Sequence, residues 1–281
     1  MTLNEFEFQV AETTLQGQYY SPVIPKAVII LVHGMGEHSK RYEKQVVPLL
    51  LKNSMAVISY DQFGHGRSKG KPGHHPGYVY LLDSIDQMIA KANELYHDIP
   101  VFLYGHSMGG NVVINYSLKR SDQLKGVVVT SPFLRLAFAP PKWKMAFGRI
   151  IDLVIPSFTM PNEIDVSALS RDKKEIEAYQ MDPLVHDRVS TRYSLEFMKT
   201  GEWAIEHASE LKIPMLLLHG TKDRLTSHLA SEEFAAKAQG KAELVLFEGG
   251  YHELHHDLDK EKVMGTIVDW IQKEIQPTQI K

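Results

Sequence analysis

Val101-Phe102-Leu103-Tyr104-Gly105-His106-Ser107-Met108-Gly109-Gly110 decides the fold. A short apolar run ends in a serine flanked by glycines, and a helix is expected from Ser107 to Arg120. The pattern G-x-S-x-G has structural meaning only between a strand and a helix, and here both flanks are in place. Glycines two residues either side of the serine remove Cβ atoms that would strike the neighbouring strand and helix, and the serine backbone must be strained. Its hydroxyl then stands above a sheet, at a helix N-terminus whose N–H groups favour negative charge. The competing reading is a structural turn with a capping serine.

Outward from this turn, Ala27–Val32 is a continuous apolar run, which suits a strand covered on both faces. Met55–Tyr60 reads as a strand, and so does Gly126–Thr130. Helices are expected from the capping Ser39 to Lys52 and from Tyr78 to His97, the latter with Leu82, Ile85, Met88, Ile89 and Ala92 on one face. Phe6, Phe8 and Val10, then Leu15, Gly17 and Tyr19, alternate as two early strands of a hairpin. The glycine- and histidine-rich stretch 61–77 reads as loop. Strand and helix alternate as far as Thr130, which predicts an α/β fold with a mostly parallel sheet flanked by helices. From Pro132 to Ser209 the alternation stops; prolines 132, 140, 141, 156, 161 and 183 break helical fragments, and no clean strand is read. It resumes with a strand at Pro214–Leu218, a helix at Ser227–Ala238, a strand at Glu243–Phe247 and a helix at Leu254–Ile275. The expected organisation is a core of residues 1–131 and 210–281, with a cap inserted at 132–209. Residues 276–281 are expected to fray.

The chain has 281 residues, enough to bury a large core without disulfide or metal staples. Its 31 basic and 34 acidic residues give a net charge of −3, which excludes a nucleic-acid binder driven by bulk positive charge. The absence of cysteine removes disulfides, thiolate metal sites and a thiol nucleophile, and fits a reducing compartment. No secretory leader is read in the first twenty residues, and no apolar run approaches the ~18 residues of a membrane span. A soluble cytoplasmic protein is expected, with contact at a membrane surface left open.

A serine hydroxyl needs a base, and the base an orienting carboxylate, in the chain order Ser, Asp, His. Asp223 follows the strand ending at Leu218, and His252 follows the last strand; both lie at the carboxyl ends of strands, where sites form in open α/β sheets. Backbone amides of Met108 and Met35 are the candidates for an oxyanion hole, Met35 because Gly34 and Gly36 let the loop turn sharply. Two other readings compete. Gly34-Met35-Gly36 could cradle a phosphate, but Ser39 stands where the third glycine of G-x-G-x-x-G belongs. His252-Glu253-Leu254-His255-His256 has the form H-E-x-x-H, but Gly249 and Gly250 put His252 in a loop or at a helix start, so no metal is expected. No organic cofactor is needed for this chemistry either.

The motifs His33-Gly34-Met35-Gly36-Glu37-His38-Ser39 with Arg41-Tyr42, Gly64-His65-Gly66-Arg67-Ser68, Gly105 to Gly110, Asp223-Arg224-Leu225 and Tyr251-His252 extend this pattern. In the insertion, Ser167-Ala168-Leu169-Ser170-Arg171 and Tyr179 before Asp182-Pro183-Leu184 do the same. Through them the sequence resembles the monoacylglycerol lipase family of α/β-hydrolases, over nearly the whole chain from Lys26. The resemblance implies the α/β-hydrolase fold with a helical cap, a triad of Ser107, Asp223 and His252, and an oxyanion hole from Met35 and Met108. It implies a glycerol pocket of Glu37, Arg41, Tyr179 and His255, although Glu37 and Arg41 could equally form an ordinary i,i+4 ion pair. Met35 is bulkier than the alanine of some relatives and should narrow the acyl pocket. The implied reaction is hydrolysis of a monoacylglycerol to glycerol and fatty acid through an acyl-enzyme. The alternatives are a lysophospholipase or general carboxylesterase, or a non-catalytic receptor of the same fold. In the cap, Phe138, Trp143, Met145, Phe147, Ile150, Ile151, Val154 and Ile155 crowd beside Lys142, Lys144 and Arg149. They are expected to line an acyl tunnel and to touch a lipid surface transiently, the alternative being plain packing.

Overall fold

The computed structural model describes residues 2–276, so the C-terminal residues 277–281 of the expected frayed end lie outside the described residues. In chain order the elements are β1 (Thr2–Val10), β2 (Thr13–Ser21), β3 (Ala27–Val32), α1 (Val46–Lys52), β4 (Met55–Tyr60), α2 (Tyr78–Leu95), β5 (Val101–His106), α3 (Met108–Lys119) and β6 (Gly126–Thr130). Then follow α4 (Lys142–Val154), β7 (Thr159–Pro161), α5 (Lys173–Met181), β8 (Arg188–Ser190), α6 (Thr191–Glu206), β9 (Met215–Gly220), α7 (His228–Lys237), β10 (Ala242–Phe247) and α8 (Lys260–Ile275). Among the described residues a sheet of eight strands runs β1-β2-β4-β3-β5-β6-β9-β10. The β1–β2 and β2–β4 pairs are antiparallel and every other pair is parallel, which is the α/β-hydrolase fold.

The solid apolar run of β3 is explained by its two faces. Val28, Ile30 and Val32 pack with Leu82, Ile85, Met88, Ile89 and Ala92 of α2 and with Val112 and Val113 of α3. Ala27, Ile29 and Leu31 point the other way, to Val46, Val47 and Leu50 of α1 and Val263, Ile267 and Ile271 of α8. With period-two side chains and helices on both sides, no position of the strand can be polar. The β1–β2 hairpin turns through Ala11 and Glu12, both at positive φ (48° and 64°), the geometry that matches the twist of a two-residue loop.

Three expectations need correction. The helix expected over 39–52 is a 3-10 turn at Ser39–Glu43 followed by α1. Pro48 has no N–H and fits only the first turn of a helix, so the helix restarts just before it. Ser39 does not cap: its amide and hydroxyl both donate to Asp61 Oδ1, at 2.9 and 2.6 Å. The helix expected over 254–275 is likewise divided, into a turn at Leu254–His256 and α8, because the buried Asp257 carboxylate turns inward to accept from the Tyr251 and Arg171 amides. The segment read as free of strands contains β7 and β8, paired antiparallel with Thr159 opposite Ser190.

Between β6 and β9, the chain divides into two kinds of structure. α6 is rooted in the core: Phe197, Ala204 and Ile205 are buried, and Asn111 and Asn115 of α3 donate to the Phe197 and Thr200 carbonyls. α4 has no buried residue at all and presents Trp143, Phe147, Ile150, Leu153 and Val154 to solvent. No described helix is long and apolar enough to cross a membrane.

Candidate active site

The turn between β5 and α3 holds Ser107 at φ 53°, ψ −114°, a conformation costly for any residue with a side chain. Its glycines are there for space: a Cβ on Gly109 would overlap the Val32 carbonyl oxygen, and one on Gly105 would overlap the Gly109 carbonyl and Val113. Ser107 begins the helix without capping it, since its hydroxyl makes no cap hydrogen bond. The Oγ instead donates to His252 Nε2 at 2.9 Å, and His252 Nδ1 donates to Asp223 Oδ2 at 2.7 Å. Residues 107, 223 and 252, remote in sequence, thus form one continuous relay at the carboxyl ends of β5, β9 and β10.

Asp223 is buried, and its Oδ1 accepts from the Leu225 and Thr226 amides at 2.8 and 3.0 Å. Burial alone would raise its carboxyl, but His252 and His219 hold it well below the usual carboxylate range. Burial pushes His252 down, yet the Asp223 carboxylate outweighs it and the ring sits above its ordinary value. Behind His252 stands His106, with ring centroids 4.9 Å apart; burial lowers His106 to about 4, which keeps it neutral.

Ser107 and His252 open into a chamber of about 180 Å³ whose walls include Met35, Met108, Phe133, Leu136 and Tyr193. Met35 is half-buried and lines this chamber beside the serine. Neither the Met35 nor the Met108 amide hydrogen-bonds another described residue, and both residues line the chamber with Ser107. A second cavity of about 450 Å³ adjoins the chamber, with Asn162 and Ile164 lining both; its other walls mix the polar Tyr179, Gln180, Asp182, His186 and Asp187 with Val166 and Val185.

Of the four residues assigned to a glycerol pocket, three come together, since Arg41 pairs with Glu37 and its guanidinium lies 4.7 Å over the Tyr179 ring, but the cluster is mostly buried. Tyr179 also lines the second cavity. His255 is fully buried, packed 4.8 Å from the Tyr42 ring and 4.7 Å from the His106 ring, with neither ring nitrogen hydrogen-bonded among the described residues. Glu37 and Arg41 form the i,i+4 ion pair, but inside the protein. Arg41 Nη1 lies 2.6 Å from Glu37 Oε2, and its guanidinium makes a two-point contact with Glu253 at 2.6 and 2.8 Å. The Arg41 side chain is only 7% exposed. Glu37 Oε1 in turn accepts from the Gly34 amide at 2.6 Å and the Tyr42 hydroxyl at 2.8 Å. The cluster therefore ties the loop carrying Met35 to the residue after His252; burial opposes all three charges, but Arg41 holds both carboxylates ionised and they in turn hold Arg41 charged.

Glu253 was the residue that sequence reasoning missed in this cluster. It occupies the second position of H-E-x-x-H, yet Leu254–His256 is a single 3-10 turn, His252 Nδ1 faces Asp223 and Glu253 faces Arg41, so the motif does not assemble as a metal site. His219 was missed as well: its Nε2 lies 3.1 Å from Asp223 Oδ2. A histidine four residues before the carboxylate was its only trace in the sequence.

A mostly parallel sheet with a strained serine on its strand-to-helix turn, hydrogen-bonded through histidine to a carboxylate, defines a serine ester hydrolase of the α/β-hydrolase class. The chain belongs to the monoglyceride lipase-like serine hydrolases of the family described as Hydrolase_4, serine aminopeptidase S33, whose profile matches residues 24–259. It is 33% identical over 251 residues to human monoglyceride lipase, covering 86% of this chain and 80% of that protein. The crystal structure of Paleococcus ferrophilus monoacylglycerol lipase is similar at a TM-score of 0.84 and 32% identity, covering 98% of this chain and 100% of that one. An uncharacterized abhydrolase domain-containing protein of Dictyostelium discoideum is 34% identical over 94% of this chain, which spans only 28% of that relative's length.

Proposed function

We propose that this chain cleaves the ester bond of monoacylglycerols to glycerol and free fatty acid. The observation that carries the reading is the Ser107–His252–Asp223 relay opening into a mostly apolar chamber that shares Asn162 and Ile164 with a second cavity carrying Tyr179, Gln180, Asp182 and His186. The acyl chain wants apolar walls and the diol wants donors and acceptors, and the two cavities meet these needs on either side of Asn162 and Ile164. With Glu37, Arg41 and His255 buried, we place the head group against Tyr179 and Asn162 instead.

In this reading His252 Nε2 takes the Ser107 proton as Oγ attacks the carbonyl carbon. The Met35 and Met108 amides donate to the oxyanion. His252 then gives its proton to the leaving glycerol oxygen, and water repeats the cycle on the acyl-enzyme. Asp223 fixes the imidazole tautomer and stabilises its charged form. Delivery of an insoluble substrate falls to α4: we propose that its exposed Trp143, Phe147, Ile150 and Leu153 dock transiently on a lipid surface above the chambers.

The test is a panel of monoacylglycerols, lysophospholipids and short-chain esters assayed with wild type and Ser107→Ala. Preference for monoacylglycerols, abolished in Ser107→Ala, is expected. Equal or faster turnover of lysophospholipids would replace the substrate assignment, and activity surviving in Ser107→Ala would remove the mechanism. Failure of Ser107 to react with a fluorophosphonate would favour a non-catalytic receptor.

A further inference from the structure

His219 is the penultimate residue of β9, fully buried, and no step of the mechanism above uses it. Its ring is held at both nitrogens. Nδ1 lies 2.8 Å from Ser231 Oγ on α7, while Nε2 lies 3.1 Å from Asp223 Oδ2 and 3.3 Å from the Thr226 carbonyl. Asp223 Oδ2 and the Thr226 carbonyl are both acceptors, with the Thr226 hydroxyl farther off at 3.4 Å, so Nε2 carries a hydrogen, while Nδ1 meets the Ser231 hydroxyl.

The acceptor it reaches is the oxygen that His252 uses. Asp223 Oδ2 lies 2.7 Å from His252 Nδ1, 3.1 Å from His219 Nε2 and 2.9 Å from Thr226 Oγ1. The Thr226 hydroxyl has one hydrogen and also faces the Ser131 carbonyl at 3.1 Å, so its donation to Asp223 is shared. Three donors thus converge on an oxygen with two lone pairs, and each weakens what the others receive.

We propose that His219 is a positioning residue for Asp223, sharing one carboxylate oxygen with His252 and thereby setting how strongly that carboxylate draws on the His252 proton. The inference rests on the triad reading given above. Without the His219 N–H, Oδ2 becomes a stronger acceptor for His252, whose protonated form is then favoured. The carboxylate also loses a lateral tether and aims the imidazole less well at Ser107.

Other groups near the relay are constant across the variants below. His228 on α7 faces the far side of the His219 ring, with centroids 6.3 Å apart. His106 packs on His252, and the Glu37 and Glu253 carboxylates act on it from the oxyanion loop and from the next residue in the chain.

Three variants test the proposal: His219→Phe keeps the ring and the burial but removes both hydrogen bonds, His219→Gln keeps a donor, and Ser231→Ala frees the ring from its anchor. Two readouts are used, the pH dependence of kcat/KM on p-nitrophenyl butyrate and an NMR titration of the His252 ring in the resting protein. In His219→Phe the acid limb of kcat/KM and the His252 titration should both rise by about half to one pH unit, with kcat down about three- to tenfold and KM changed less than about twofold. Ser231→Ala should move both in the same direction by less, and His219→Gln should return them toward wild type. Superposition of the variant and wild-type titrations, with only the melting temperature lowered, would overturn the proposal and leave His219 as packing. If His219→Phe does not fold, Ser231→Ala decides by the same criterion. Ester hydrolysis that persists in Ser107→Ala would defeat the functional reading, while the NMR titration still judges His219.

Discussion

Replacing Arg41 with methionine separates two roles that the sequence left open, a ligand for the glycerol head group and a buried structural cation. In the structure Arg41 is 7% exposed and lies 2.6 Å from Glu37 and 2.6 Å from Glu253, whose side chains are 3% and 4% exposed. Methionine fills the volume of the stem but leaves two carboxylates facing each other without a cation. Breaking a buried pair by removing one partner costs about 3–5 kcal/mol. At about 2–3 °C per kcal/mol for a chain of this size, the melting temperature should fall about 6–15 °C. The pH dependence gives a second handle. In the wild type, burial raises Glu37 and Glu253 but Arg41 more than offsets it, so both folded-state values are depressed. Their contribution to stability is therefore present above an ordinary glutamate value and lost as pH falls through the folded values. In Arg41→Met the sign reverses: burial, no longer opposed, raises both groups, so the variant's deficit should shrink as pH falls from 7 toward 5. Adding Glu37→Gln and Glu253→Gln to the variant should recover much of the loss at neutral pH. Urea and thermal unfolding at several pH values measure all three effects. A melting temperature within about 3 °C of wild type, together with a KM for monoacylglycerols raised about tenfold, would refute the reasoning and restore Arg41 to the head group.

Gly109→Ala should yield little folded protein, because its Cβ has no room beside the Val32 and His33 carbonyl oxygens; recovery of soluble enzyme with wild-type melting would contradict this. Since Asp223 holds His252 above the 6.5 of a free histidine, and only the neutral ring can accept the Ser107 proton, kcat/KM should fall as pH drops through a value above about 6.5, with a plateau on the alkaline side; a stopped assay across pH on a soluble ester checks the limb. Trp143→Ser with Phe147→Ser should lower the fraction sedimenting with phosphatidylglycerol-containing vesicles at least about threefold while hydrolysis of a soluble short-chain ester changes little, as both residues face solvent on α4.

What the sequence disclosed followed the range of the forces involved. The β5–α3 turn and the doubly covered β3 are local patterns, a glycine spacing and an unbroken apolar run, and they were readable without any partner. Pro48 also carried its message locally, although the helix expected over 39–52 ignored it. β7 and β8 were unreadable because each has three residues and finds its partner only across α5. Glu253 could not be read because its partner, Arg41, lies 212 residues away in the chain. The resemblance placed His255 at a ligand, yet its motif position says nothing of depth, and the ring is stacked beneath Tyr42.

The point where the insertion leaves and re-enters the sheet has a consequence for how such proteins diversify. β6 and β9 are adjacent, with Val127 directly opposite Met215, so everything between them loops out of a single seam in an otherwise closed ladder. The stretch ahead of α6 can lengthen, shorten or be exchanged without rethreading a strand, so long as α6 keeps its grip on α3. Appetite for new esters can therefore evolve by rewriting one detour in the chain, while the machinery that breaks the bond is inherited unchanged.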